Sequence, residues 1–145
     1  IDVSVTKDPL DEFNGQAFLN GGELELHVTA DDVKGLKTDS ALTFSGGTVY
    51  AKVAGLGTKG VSVGTDLLIQ QPTSTPTVLR MDVTGTTYMP GDPKLESKCR
   101  GMKIKGNYTF DGGSIFMNVT GKKAKGISCD GTYTYKSGTT NVLPE

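Results

Sequence analysis

His27 is the only imidazole in the 145-residue chain, so any histidine-dependent chemistry has to use it. It stands in "LELHVT" (24–29), where Leu24, Leu26 and Val28 alternate with Glu25, His27 and Thr29. A period of two turns His27 outward beside Glu25, as a surface residue. A Ser-His-Asp triad would also need a serine on a nucleophile elbow, and no GxSxG pattern occurs. The second chemical group is acidic. "KDPLDEFNG" (7–15) brings Asp8, Asp11 and Glu12 together in a loop. Oxygen ligands at such spacing are the type that holds Ca²⁺. The EF-hand pattern is absent, however, and solvated loop charges explain the segment as well, so no cofactor is expected. Glycoside hydrolysis requires a pair of carboxylates, and the spacing singles out no pair. With no Trp and scattered tyrosines, a sugar-stacking platform has little support.

Two further groups are basic and amide. "GKKAKG" (121–126) places Lys122, Lys123 and Lys125 in a glycine-bounded loop, and "GLGTKG" (55–60) is its poorer counterpart. Neither has the GxxxxGK[ST] order of a phosphate-binding loop. The lysine-rich one suits an anionic surface, against the plainer reading of a solvated loop. Asn107-Tyr108-Thr109 and Asn118-Val119-Thr120 are glycosylation sequons, meaningful only in a eukaryotic secretory setting.

The elements that must position these residues are short strands. Thr, Val and Gly dominate, 20 residues are glycine and the hydrophobic fraction is 35%, a vocabulary of strands and turns. A chain of this length favours one domain spanning 1–145. No apolar run reaches the ~18 residues of a membrane helix. The start at Ile1 suggests a mature or trimmed product. The net charge of −1 hides an imbalance: residues 1–72 carry −5 and residues 73–145 carry +4. A bipolar molecule of this kind can associate head to tail. Its basic residues carry no recognised nucleic-acid motif, so no nucleic-acid partner is expected.

A repeat organises the strands. Residues 35–69 align with 101–135 at a constant offset of 66, with eleven identities, among them Phe44/Phe110, Gly46/Gly112, Gly47/Gly113 and Gly60/Gly126. Chance would give roughly two or three matches. Around the glycine pairs the residues alternate. Val49, Ala51 and Val53 oppose Tyr50 and Lys52, and Met102, Ile104, Tyr108 and Phe110 oppose Lys103, Lys105, Asn107 and Thr109. Gly-Gly flanked by alternating strands indicates a hairpin with positive φ at its turn. "LELHVT" (24–29) lies over "LRMDVT" (79–84) at an offset of 55, which places about 11 extra residues within 86–98. The expected fold is therefore all-β: an antiparallel β-sandwich or barrel of about ten strands, built from two tandem pseudo-equivalent halves.

The same alignment puts Cys99 over Val33 and Cys129 over Val63. If equivalent positions touch across strands, Cys99 and Cys129 form a disulfide closing a loop of about 30 residues, worth about 3–4 kcal/mol. Such a bond indicates an extracytoplasmic site: secreted, periplasmic or cell surface. The alternative is two buried thiols.

Features confined to one half are the best functional candidates, because the scaffold does not require them. Three stand out: the connection 7–22 with Phe13 and Phe18, paired with a short counterpart at 71–77; the insertion 86–98 with Tyr88 and Met89; and the lysine loop with Lys122, Lys123 and Lys125. Loops on rigid scaffolds commonly bind partners. The sequence thus favours a secreted or cell-surface, non-enzymatic binding or structural domain that meets a protein or cell-surface ligand. The alternatives are a barrel carrier of a small apolar ligand and a carbohydrate-active enzyme with an Asp/Glu pair.

Overall fold

A computed structural model describes residues 3–5 and 15–144. Its strands are β1 (Val3–Val5), β2 (Ala17–Val28), β3 (Lys34–Thr38), β4 (Leu42–Val53), β5 (Lys59–Val63), β6 (Leu67–Gln70), β7 (Thr77–Val83), β8 (Arg100–Ile104), β9 (Tyr108–Val119), β10 (Lys125–Cys129) and β11 (Tyr133–Leu143), with one 3-10 turn at Pro93–Leu95. They form two sheets. The first has the order β1-β3-β5-β8-β10, and the second has β11-β9-β6-β4-β2, with β7 also lying between β4 and β9.

Every pairing between named strands is parallel, which corrects the antiparallel expectation. Alternation of period two reports which face is buried and is blind to strand direction. The chain solves the crossover problem of parallel strands by visiting the sheets in turn. Each strand of one sheet is the connection between two neighbours in the other, giving a β-solenoid. One coil advances the chain by 25 positions: Leu36 pairs Val61, Met102 pairs Ile127, Leu42 pairs Leu67 and Tyr108 pairs Tyr133. Between Val61 and Met102 the step is 41, because that coil carries both an insertion at 71–76 and the longer one at 86–98.

The offset of 66 is thus two coils, one plain and one with insertions. The two aligned segments match strand for strand, β3-β4-β5 with β8-β9-β10, each bound displaced by 66. The unit of stacking is the coil, and the two halves expected from the repeat are each a run of coils. The segment 71–77 is an insertion in its own right, not the counterpart of 7–22.

The glycine pairs hold positive φ as expected: Gly47 at 90°, Gly112 at 117° and Gly113 at 98°. They bend a continuing strand instead of reversing it, so no hairpin forms and "GGSIF" lies inside β9. At this bend a Cβ on Gly47 would fall 2.5 Å from the Gly22 carbonyl oxygen of the coil beside it. In the third coil the insertion 71–76 breaks the bend, and the rung is shared by β6 and β7. The pairing β4–β6–β9–β7–β4 consequently closes on itself, a small four-strand barrel by connectivity in which β6 and β7 take successive halves of β4 and β9. Counting β6 and β7 as one rung gives ten strands.

Inward residues stack into columns of like shape, one per coil: Leu36–Val61–Met102, Phe44–Ile69–Phe110 and Leu26–Ala51–Met81–Met117, all buried. Each fully buried large side chain contributes about 1.5–3 kcal/mol, which fixes the register. The outward set matches the sequence reading, with Tyr50, Lys52, Lys103, Thr109 and Asn118 at least partly exposed.

Candidate functional site

Two of the three asymmetric features meet. The insertion 86–98 and the lysine loop occupy the same corner of successive coils, where the second sheet turns into the first, and the corner of the preceding coil is 54–58. Between them lies a cleft of about 310 Å³ lined by Thr86, Thr87, Met89, Glu96, Lys98, Lys122 and Lys123.

The insertion is held in place by its own bonds. The Tyr88 and Ser97 backbones exchange N–H···O bonds at 2.8 and 3.1 Å, forming a two-residue antiparallel bridge. Asp92 Oδ1 accepts from the Lys94 N–H at 3.0 Å and caps the 3-10 turn. The Ser97 hydroxyl donates to the Gly57 carbonyl at 3.0 Å. Lys59 Nζ donates to the same carbonyl at 2.8 Å and also to Ser97 Oγ. The insertion is thereby fastened to the coil beneath it, and Met89 is left 67% exposed at the rim.

The lysine loop is a tight turn in which the Ala124 N–H donates to the Gly121 carbonyl at 3.1 Å. Lys123 holds φ at 60°, the left-handed region, as do Asp32 at 53° and Gly57 at 68° at the equivalent corners of earlier coils. A non-glycine residue there carries strain of about 1–2 kcal/mol. Lys98, Lys122 and Lys123 face a single carboxylate, Glu96, so the cleft is cationic with one apolar rim residue.

The other candidate residues are dispersed. Tyr88 is half-buried and engaged in the bridge, while Lys125 is exposed on β10 beside the cleft and outside its lining. Phe18 is 61% exposed on β2, paired with Thr43 on another side of the coil. Phe13 and the proposed calcium set Asp8, Asp11 and Glu12 lie outside the described residues. His27 is outward as expected, with Nε2 2.5 Å from Glu25 Oε1. Asn107 and Asn118 are both exposed. Asn107 also holds a corner: its Oδ1 accepts from the Thr132 N–H at 2.9 Å, and its own N–H donates to Asp66 Oδ1 at 2.8 Å.

Both cysteines are free, which corrects the expected disulfide. Cys99 does occupy the place of Val33, since their carbonyls accept from Lys125 and Lys59 respectively, and Cys129 that of Val63. Equivalence did not bring contact. Cys99 precedes β8, and Cys129 ends β10 opposite Ile104, about five residues or roughly 16 Å farther along the strand direction. Cys99 lies 3.5 Å from the Thr58 hydroxyl, and burial pushes its thiol pKa up. Cys129 donates to the Gly106 carbonyl at 3.2 Å.

Sequence reasoning located the insertion but weighed only its large apolar members; Thr86, Thr87, Glu96 and Lys98 were missed. The charge on Lys98, one residue before Cys99, was the available signal. It also missed the hollow of about 500 Å³ beside the other insertion, lined by Gln70, Gln71, Pro72, Asp111, Gly112, Gly113, Ser137 and Gly138. That hollow is walled mainly by glycine backbone and amides and joins no second asymmetric loop. Among the described residues no helix is long and apolar enough to cross a membrane. No protein-family model, curated protein or solved structure matches the chain.

Proposed function

We propose that this chain is a non-enzymatic binding module, secreted or displayed at a cell surface, whose ligand seats between the insertion 86–98 and the lysine loop. One observation carries the reading. The insertion 86–98, which the coil does not require, meets the corner that carries Lys122 and Lys123, and together they line one cleft. A cationic floor with Met89 at its rim suits an anionic group carried on a partly apolar ligand. The free thiols withdraw the disulfide as support for a secreted setting. The two exposed sequons remain compatible with that setting.

The alternatives find less support. The interior gap lined by Leu36, Phe44, Val61, Ile69 and Met102 amounts to about 10 Å³, whereas ligand pockets run to hundreds. A glycosidase needs a carboxyl that keeps its proton. Asp130 is shifted the opposite way, held low by its hydrogen bond to Lys103.

The test uses a variant in which 86–98 is shortened by the 11 extra residues, since Ala54–Thr58 shows that the corner closes without them. Fluorescently labelled wild-type chain is screened against arrayed extracellular proteins and glycans. A ligand bound by wild type and weakened at least about tenfold by both the shortened variant and Lys122→Ala/Lys123→Ala is expected. Undiminished binding by both variants would refute the site.

A further inference from the structure

The stack of coils ends on an open pocket. Strands β10 and β11 are the last of their sheets, so no described strand covers the inward residues of the final coil. Two inward columns run Leu42–Leu67–Tyr108–Tyr133 and Leu36–Val61–Met102–Ile127. Leu42, Leu67 and Tyr108 are buried, and Tyr133 at the end is 52% exposed. Here β10 faces β9 and β11 across a pocket of about 290 Å³ lined by Tyr108, Ile127, Cys129, Tyr133 and Thr140. That volume is at the lower end for ligand pockets and suits one small ring. Its wall is aromatic: the Tyr108 and Tyr133 rings are tilted by 39° with centroids 5.1 Å apart, a spacing at which rings attract. No lysine, arginine or carboxylate is among the lining residues. Tyr108 is only 2% exposed, and its hydroxyl has no hydrogen-bond partner among the described residues. Buried hydroxyls are as a rule bonded, because leaving one unbonded is costly. The nearby thiol is engaged elsewhere, since Cys129 Sγ donates to the Gly106 carbonyl at 3.2 Å. Burial pushes the Tyr108 phenol pKa well up, and Tyr133 and Cys129 act in the same direction. The hydroxyl end of Tyr108 therefore lies beside two residues of the pocket wall, and it keeps its proton at neutral pH.

We propose that this end pocket binds a small neutral aromatic molecule bearing a carbonyl, whose oxygen accepts from the Tyr108 hydroxyl while its ring lies against Tyr133 and Ile127. A proton-bearing phenol is a donor, so the ligand atom that satisfies it is an acceptor. An anionic acceptor would lose its hydration with no lining cation to replace it, which favours a neutral carbonyl. The two tyrosine rings offer offset or edge-to-face contact, which an aliphatic ligand would forgo. The pocket is separate from the cleft between 86–98 and the lysine loop and from the filled interior, so the inference does not rest on the cleft reading.

Ligand-observed NMR measures the binding of acetophenone and of ethylbenzene, which keeps the ring and lacks the carbonyl. Wild type is expected to bind acetophenone more tightly. Tyr108→Phe removes a single oxygen and is expected to weaken acetophenone about five- to tenfold while leaving ethylbenzene unchanged. Tyr133→Ala is expected to weaken both, and Lys122→Ala/Lys123→Ala neither. A thermal melt gives a second readout that needs no ligand. Removing an unpartnered buried hydroxyl is expected to raise the Tm of Tyr108→Phe by about 2–4 °C, whereas a hydroxyl bonded within the protein would lower it. The proposal is overturned if wild type binds neither compound, if it binds ethylbenzene as tightly as acetophenone, or if Tyr108→Phe keeps the wild-type affinity or melts lower. Acetophenone lost from Lys122→Ala/Lys123→Ala would move the ligand to the cleft and overturn the pocket. Acetophenone displaced as protein concentration rises would assign the pocket to a second copy and overturn it too.

Discussion

Lys123 shows at the level of one residue how function and stability separate. Its φ of 60° is one that glycine adopts freely, and Gly57 does so at the equivalent corner. Lys123→Gly is therefore expected to raise the unfolding free energy by about 1 kcal/mol in urea denaturation. The same substitution removes a cation from the cleft and should weaken whatever ligand the screen identifies. A variant that is neither more stable nor weaker in binding would detach the strain from the site. His27 makes the converse point. Its type suggested catalysis, but an exposed imidazole paired only with Glu25 explains itself as surface.

At the level of elements, the coil works because backbones approach closely at its corners. A Cβ on Gly85 would lie 2.1 Å from the Gly55 carbonyl oxygen and 2.9 Å from Cys99 Sγ. Backbone cannot yield as a side chain can, so Gly85→Ala is expected to cost about 3 kcal/mol, the upper end for overpacking. Thermal denaturation of the variant beside wild type checks this. An unchanged midpoint would mean the corner relaxes and the coils are looser than their registers imply. The same corner shows why the insertion 86–98 was readable while its partner was not. Extra length disturbs the offset between repeats and can be counted. Which other loop lies beside it depends on the direction in which the chain winds.

Across the whole molecule, coil order is chain order, so a charge imbalance along the sequence becomes one along the axis. Among the described residues, the −2 of residues 15–72 and the +5 of residues 73–144 lie toward opposite ends of the stack. Two copies end to end would bring unlike ends together within a Debye length, about 10 Å at 0.1 M salt. Sedimentation at 20 mM salt is expected to give a weight-average mass that rises with concentration and returns to the 15.3 kDa monomer in 0.5 M salt. A mass independent of salt would show that the dipole drives no association.

What the sequence determined by itself was local or additive: an all-β chain, the inward and outward residues of 24–29, 49–53 and 102–110, positive φ at Gly47, Gly112 and Gly113, the 66-residue correspondence and the place of the long insertion. Each follows from alternation, glycine stereochemistry or counting. Only the tertiary structure decided that neighbouring strands run parallel, that the repeat spans two coils, and that Cys99 and Cys129 stay apart. Likewise only it placed Lys122 and Lys123 in one cleft with Met89 and Lys98. Alternation is the same for a strand run in either direction, so facing is written in the chain. Adjacency is set by how the chain winds, and that depends on long-range registers no short stretch contains.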